Sequence, residues 1–378
     1  MTPSVPFSAV VAGSTLIDMA VAGASLFLVP GPIGTRRVVR AAVMTGAVFV
    51  LKLAFLDVFG VTRFGQIHLI YADLVVLVPV LGAALLALAL AGKRPLTTPV
   101  RLASLAGLGM IPVGVYASWV EPFRLQLETA KARVSPLRDG DGVVRIGVLS
   151  DLQTDGVTDY ERGAVARLMS ERPDVILLPG DVFQGTPAQF VATMPELWEL
   201  LKSLSAPGGV YLVLGDTDGP GEHLRSLLES TGIRILVNET VHVRVGGRRV
   251  TIGGVELRYD STEARAVVDR LESDEGEGDV RVLLAHRPDV VLGLRPGSRI
   301  DLVVAGHTHG GQIVVPGFGP PMTLSRVPRQ VAAGGLHAVR GNAVYVSRGV
   351  GCERGQAPRI RFLCPPEVSL VELGGVGP

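Results

Sequence analysis

Cysteine is nearly absent. The 378 residues hold only Cys352 and Cys364, too few for a zinc cluster or a disulfide framework. Charge is scarce as well: 19% of residues are charged, and 36 basic against 35 acidic side chains leave a net charge of +1. No basic stretch is interleaved with aromatics, so nucleic acid is not expected as a partner. With so little charge and a positive mean hydropathy, the composition is too apolar for an ordinary soluble enzyme. The apolar excess must therefore sit in one part of the chain.

It sits before residue 121. Four apolar runs, at about 8–30, 39–60, 67–91 and 100–120, each approach the ~20 residues that span a bilayer. The first lacks the basic leader of a signal peptide, and further spans follow it. Arg36, Arg37 and Arg40 fill the first loop, Arg63 alone the second, and Lys93, Arg94 and Arg101 mark the third. Basic loops face the cytoplasm. The expectation is a multi-pass protein of the cell membrane, with everything after the fourth span outside the cytoplasm and the lipid bilayer as a partner. Asp18 and Lys52 fall inside the first two spans at similar depth, and a charge there is expensive unless paired, so the two are expected to meet. Asp57 and Asp73 lie near span ends and read as interfacial. The expected organisation is a transmembrane region with four helices over 1–120, a connector over 121–142 and an α/β domain over 143–378. Trp119 and Phe123 suit an interfacial anchor, and Leu125 to Arg133 suits a short surface helix.

From Val143 the pattern changes. Short runs rich in Val, Leu and Ile, at Val144–Leu149, Val175–Leu178, Val210–Leu214, Arg281–Ala285 and Leu302–Ala305, read as strands buried on both faces. Helical segments are expected at about 160–171, 189–204, 221–231 and 262–273. Further β segments at 241–246, 249–256, 343–347 and 368–373 suggest a second sheet. Asp151 with Gln153, Asp181, Asp216, His286, and the run Gly306-His307-Thr308-His309-Gly310-Gly311-Gln312 all stand just past strand ends, where open α/β sheets gather ligands. One Asp or Gly in such a place is ordinary turn chemistry; five groups in register are not.

These segments resemble the calcineurin-like metallophosphoesterase family, in particular its membrane-associated branch carrying Gly-His-Thr-His-Gly-Gly-Gln. The likeness covers about 143–375, and Tyr345 to Gly351 and Pro365-Pro366-Glu367 also fit that branch. The resemblance implies an α/β sandwich of two facing mixed sheets flanked by helices. It implies a binuclear site for two divalent metal ions (Mn, Fe or Zn). Asp151, Gln153 and His309 would hold the first, Asp216, His286 and His307 the second, and Asp181 would bridge them. Such a pair, about 3.5–4 Å apart, polarises a phosphoryl group and acidifies a water between the cations. A phosphate-ester substrate follows, and family members that act on nucleotide-linked diacyl sugars make a lipid-linked or nucleotide-linked one an expectation.

The chain departs from the family pattern twice. Gln153 stands where His is usual, and Gly-Asp-Thr-Asp at 215–218 replaces Gly-Asn-His-Asp. Thr217 cannot serve as a general acid near neutral pH, a loss of about 10²–10⁴ in rate where such a group operates. His223 and Arg348 are candidates to take over its role, and Asp218 to orient its neighbours. A metal-dependent phosphoric ester hydrolase on a membrane anchor is the leading expectation. A catalytically weak metal-binding sensor is the alternative, and a small transporter with a regulatory domain is a third.

Overall fold

The computed structural model describes residues 6–28, 30–134, 142–218, 222–273 and 280–374. The acidic, Gly-rich run at 273–279 lies outside them from residue 274 on. The chain divides into two units, Met1–Trp119 with Glu353–Arg359, and Val120–Cys352 with Ile360–Pro378. The second unit thus starts before the expected connector ends.

The first unit is built on helices Phe7–Phe27, Thr35–Val58, Arg63–Leu90 and Thr98–Phe123, each long and apolar enough to cross a membrane. The last two pack closely because glycine lets backbones approach. A Cβ on Gly82 would fall 2.7 Å from Ser104 O, and one on Gly114 3.0 Å from Val75 Cβ. Lys52 and Asp18 form the expected ion pair. The third helix begins at Arg63 rather than near 67, so Asp73 lies inside it, at the start of a π-helical turn Asp73–Leu77, and its carboxyl reaches Asp18 and Thr15. Residues 353–359 complete the unit. Gln356 Oε1 accepts from Thr62 N at 2.7 Å, Gln356 Nε2 donates to Gly60 O at 3.1 Å, and His68 Nδ1 lies 3.1 Å from Gln356 O.

The second unit holds two six-stranded mixed sheets. The first has the order β1-β12-β2-β3-β4-β5, from β1 (Gln126–Arg133), β2 (Val144–Val148), β3 (Val175–Leu178), β4 (Val210–Leu212), β5 (Arg234–Ile235) and β12 (Glu367–Gly374). The other runs β10-β11-β9-β8-β7-β6, from β6 (Glu239–Val245), β7 (Arg248–Gly254), β8 (Val280–Leu284), β9 (Leu302–Ala305), β10 (Gly335–Val339) and β11 (Asn342–Val346). Inner-face residues of both sheets, among them Val148, Leu177, Val213, Ile252, Leu284, Val304 and Tyr345, merge into one core. Helices Asp159–Ser170, Pro187–Lys202 and Glu222–Ser230 contribute to a second apolar cluster with the first sheet, and Thr262–Glu272 to a third with the other. Two of these helices start where the sequence dictates. Thr158 with Glu161, and Thr186 with Gln189, form capping boxes that satisfy otherwise orphaned N–H groups.

The surface helix expected over 125–133 is instead the strand β1. Gln-Leu-Glu-Thr-Ala-Lys-Ala-Arg is rich in helix formers, but eight register pairs with β12, from Gln126↔Glu367 to Arg133↔Gly374, override that propensity. β1 sits at a sheet edge, which suits its polar, half-exposed composition.

Aspartates fix the inter-strand alignment at the opposite ends of the strands from the site. Asp174 precedes β3 and accepts the Arg145 N–H of β2 at 2.8 Å; Asp301 precedes β9 and accepts the Arg281 N–H of β8 at 2.7 Å. Each thus closes one end of a parallel pair.

Candidate metal centre

The polar groups expected at strand ends follow β2, β3 and β4 in one sheet and β8 and β9 in the other. The backbone there is forced. Asp151, Gln153, Asp181, His307 and His309 have φ of 47°, 38°, 57°, 70° and 49°, a left-handed conformation that costs a non-glycine residue about 1–3 kcal/mol. Residues held this way cluster at functional sites, and these five supply side chains to a single cluster. Glycine permits the crowding. A Cβ on Gly215 would fall 2.5 Å from Asp181 N, and one on Gly349 2.7 Å from Asp151 Cβ.

All seven side chains singled out as metal ligands come together. Asp216, His286 and His307 form one group of donor atoms within 4.8 Å of one another, and Asp151, Asp181 and His286 form a second. His307 Nδ1 lies 2.8 Å from Asp216 Oδ2, and His286 Nε2 lies 3.3 Å from the same oxygen. His286 Nε2 is also 3.5 Å from Asp181 Oδ2, and Gln153 Nε2 is 3.1 Å from that oxygen. His309 Nε2 is 3.6 Å from Asp151 Oδ1. His286 is common to the two groups, and Asp181 Oδ2 lies between its Nε2 and the amide of Gln153. His286 Nδ1 lies 2.7 Å from Pro179 O; a proton on Nδ1 satisfies that carbonyl and leaves Nε2 as the donor atom facing the carboxylates.

Burial and charge perturb four members of the cluster. Burial raises Asp151 to about 6, with the Asp181 charge adding to the shift. Burial opposes a charged His286, but Asp181, Asp216 and Asp151 outweigh it and raise the ring to about 9. Asp216 is held well below the usual carboxylate range despite desolvation, by hydrogen bonds from His286, His307 and Arg287. His309 is pushed well below the usual imidazole range by burial and by the Arg361 charge, so it is the neutral ring a metal requires.

These residues fit divalent cations. The ring nitrogens of His309 are buried without a hydrogen-bond partner among the described residues, and buried polar atoms rarely remain so. Asp151 and Asp181 face each other's charge at near-zero exposure, which a cation between them would relieve. Gln153 presents its amide, and a half-turn of that group exchanges Nε2 for the oxygen. Mixed oxygen and imidazole donors suit Mn, Fe or Zn.

The three other residues singled out fare differently. Asp218 is buried and accepts from Asp181 N (2.7 Å), Val182 N (2.7 Å) and Gly215 N (2.8 Å), so it shapes the loop carrying Asp181. Burial and the Asp181 charge raise it to about 6 against those bonds. Arg348 is not available as a phosphate clamp. Its NH2 pairs with Glu367 Oε2 at 2.6 Å and Glu128 Oε2 at 3.1 Å, and its Nε donates to Pro365 O. Those carboxylates belong to β12 and β1, the strand that the sequence disguised as a helix. His223 lies on helix Glu222–Ser230, and its side chain is outside the described residues.

Two arginines escaped notice in the sequence. Arg287 directly follows a ligand and donates to Asp216 Oδ1 at 2.5 Å, with its side chain 40% exposed; its neighbour His286 was the available signal. Arg361 is wholly buried and donates to the carbonyls of Arg348 (2.7 Å), Gly351 (2.6 Å) and Cys364 (3.1 Å). Gly351 N in turn donates to Asp151 O at 2.8 Å. Arg361 thus holds the turn that lies against Asp151, and no periodicity marks it. Cys352 and Cys364 are both buried free thiols.

Residues 144–311 match the family model for calcineurin-like phosphoesterases. The phosphodiesterase YaeI of Escherichia coli is 28% identical over 73% of this chain and 96% of its own length. The uncharacterized metallophosphoesterase YkuE of Bacillus subtilis is 28% identical over 68% of this chain and 88% of its own. Among solved structures, a 5′-nucleotidase precursor from Thermus thermophilus aligns at 15% identity and a TM-score of 0.39, over 61% of this chain and 54% of that one, too distant to bear on substrate. All seven clustered side chains lie within the segment 144–311 that matches the calcineurin-like phosphoesterase model.

Proposed function

We propose that the chain is a membrane-anchored, two-metal phosphohydrolase that cleaves a phosphate ester or pyrophosphate, with a lipid-linked or nucleotide-linked phosphate as its substrate. The observation that carries this proposal is the place of Asp181, whose Oδ2 lies 3.1 Å from Gln153 Nε2 and 3.5 Å from His286 Nε2. One carboxylate can thus face two cation sites.

Asp151, Gln153 and His309 would hold one cation, and Asp216, His286 and His307 the other. When bound, the pair would polarise the phosphoryl oxygens and acidify a water for in-line attack. The protein's own groups supply the frame. Asp218 fixes the Asp181 loop, and Arg361 the turn against Asp151. Arg287, at the exposed margin of Asp216, offsets the charge that Asp216 carries where the family has a neutral Asn. Its guanidinium is also placed to meet a phosphate oxygen. The case for the membrane rests on the helices. Their apolar windows are only 6% to 28% buried, and side chains such as Leu51, Phe55, Val43 and Leu105 are exposed. An apolar exterior of that extent needs a covering, which lipid supplies.

Thr217 favours a second reading, a metal-binding sensor. Its N–H donates to Asp181 Oδ1 at 2.8 Å, but its hydroxyl has no hydrogen-bond partner among the described residues and is too weak an acid to protonate a leaving group. One assay separates the two. The purified full-length chain is loaded with Mn²⁺ and given bis-p-nitrophenyl phosphate, then a panel of lipid pyrophosphates, nucleotide-sugars and cyclic nucleotides. Turnover that vanishes in Asp181→Asn establishes the hydrolase. Bound metal with no phosphate released from any ester would leave the sensor standing.

A further inference from the structure

Two carboxylates and one ammonium share the interior of the helical unit. Asp18, on helix Phe7–Phe27, is fully buried. Lys52, on helix Thr35–Val58, donates to Asp18 Oδ2 and to Ser14 O at 3.1 Å. Asp73, on the third helix, reaches Asp18 and Thr15. Lys52 neutralises one carboxylate, so a single negative charge is left over. An unpaired charge inside an apolar bundle is strongly disfavoured.

The oxygen atoms point the same way independently. Among the described residues, Asp18 Oδ1 and Asp73 Oδ1 are both buried without a hydrogen-bond donor, and the hydroxyls of Ser14 and Thr45 are buried without a partner. Ser14 is 4% exposed, so bulk water does not satisfy it. Two carboxyl groups in contact offer each other only acceptors unless one of them carries a proton. The group missing between Asp18 and Asp73 is therefore a hydrogen or a cation. The π-helical turn Asp73–Leu77 widens the helix where Asp73 enters, a deviation frequent at functional positions. The groups acting on Asp73 are Asp18 and Thr15 from the first helix and Lys52 from the second. Tyr71, two residues away, is engaged by Ser118 and Gly114 O instead.

We propose that the helical unit contains a proton-binding site, in which one proton is held between Asp18 and Asp73 beside Lys52. A proton fits better than a metal ion. Lys52 already occupies Oδ2 of Asp18 and the Ser14 carbonyl, which leaves fewer oxygens than the six to eight that a hard cation such as Ca²⁺ gathers. The bound proton makes the triad neutral as a whole and gives each carboxylate a donor. The helices are then more than an anchor: they carry a titratable group whose occupancy follows pH. The inference stands apart from the phosphohydrolase proposal, since no residue of the metal cluster takes part.

Infrared spectroscopy of the full-length chain in detergent micelles tests it. Wild type minus Asp73→Asn is expected to show a protonated-carboxyl stretch that the variant lacks; other buried carboxyl groups cancel in the difference. In wild type alone, raising pH converts that band to carboxylate, and exchanging sodium for a bulky organic cation leaves it unchanged. The sign for stability follows from the same binding. A proton held only in the folded state stabilises at low pH and is lost on raising pH, so the wild-type melting midpoint falls with pH. Asp73→Asn carries a permanent donor, so it lacks that part of the fall. A difference spectrum without a protonated-carboxyl band, or a band and midpoint that depend on sodium, would overturn the proposal.

Discussion

The aspartate behind the bridge gives the sharpest test of the site's construction. Asp218 accepts three backbone N–H groups, those of Asp181, Val182 and Gly215, at 2.7–2.8 Å, and it is 4% exposed. Asp218→Ala leaves all three donors buried and unsatisfied. At about 1–3 kcal/mol each, the loss is roughly 3–9 kcal/mol, comparable with the ~5–15 kcal/mol that holds a typical domain folded. Asp218→Asn is milder. Its remaining oxygen serves the Asp181 and Gly215 N–H groups, while its NH₂ is turned toward the Val182 N–H. One bond is lost and two donors face each other, so about 1–3 kcal/mol is expected.

The same loop sets the place of Asp181, whose Oδ1 accepts from Thr217 N and whose backbone oxygen accepts from Gln153 N at 2.8 Å. Melting and metal loading should therefore fall together. Thermal melts of wild type, Asp218→Asn and Asp218→Ala, each titrated with Mn²⁺, provide the measurement. Wild type should gain stability with added metal in proportion to its affinity; Asp218→Asn should melt lower and gain less, and Asp218→Ala should fail to fold or bind no second equivalent. If Asp218→Asn melts with wild type and binds two equivalents of Mn²⁺ equally well, the loop does not depend on this carboxylate and the reasoning fails.

Arg361→Met should leave three buried carbonyls without donors, lowering the melting midpoint by the equivalent of a few kcal/mol and weakening the Asp151-side metal more than the other. Arg361→Lys should restore only part, because an ammonium cannot span the three carbonyls as the guanidinium fork does; isothermal titration with Mn²⁺ distinguishes the two sites. Asp301→Asn should stabilise the chain above about pH 6 and not at pH 4. Burial raises Asp301 from 3.8 to about 6, so the wild-type penalty grows as pH rises through that window, to at most about 3 kcal/mol, and urea melts across pH read it. Thr217→His should raise turnover of alkyl phosphodiesters by about 10²-fold or more while leaving p-nitrophenyl esters little changed, since only poor leaving groups need a proton.

The site was more legible than its supports, for a physical reason. Each clustered ligand is a polar residue at the end of a short apolar strand, and that contrast survives in a single sequence. β3 and β9 have the bounds expected of them, Val175–Leu178 and Leu302–Ala305, because strands covered on both faces leave little to vary. β1 lacked such a mark. Its residues favour a helix, and only pairing with β12, more than 200 residues away, makes a strand of them. The error then carried over to Arg348: without β1 and β12 in place, the two carboxylates that occupy its guanidinium were invisible, and it looked free to bind phosphate.

The departures from the family pattern become coherent when charge is followed through the cluster. Replacing Asn by Asp at 216 adds a negative charge to a site already crowded with Asp151 and Asp181. Arg287, one residue past His286, lies 2.5 Å from that carboxylate. The added charge and the added cation thus arrive as a pair, and the net charge presented to metals and phosphate stays close to that of a neutral residue at 216. Among the described residues Thr217 has no such compensation in proton chemistry, because Arg287 can stabilise charge but cannot give up a proton near neutral pH. For the hydrolase proposed above, the described residues supply electrostatic stabilisation without acid assistance. Such a site works best on leaving groups that depart as stable anions, and a phosphate departing from a pyrophosphate is one. For the proposed hydrolase, that favours a pyrophosphate-linked substrate over a simple alkyl ester.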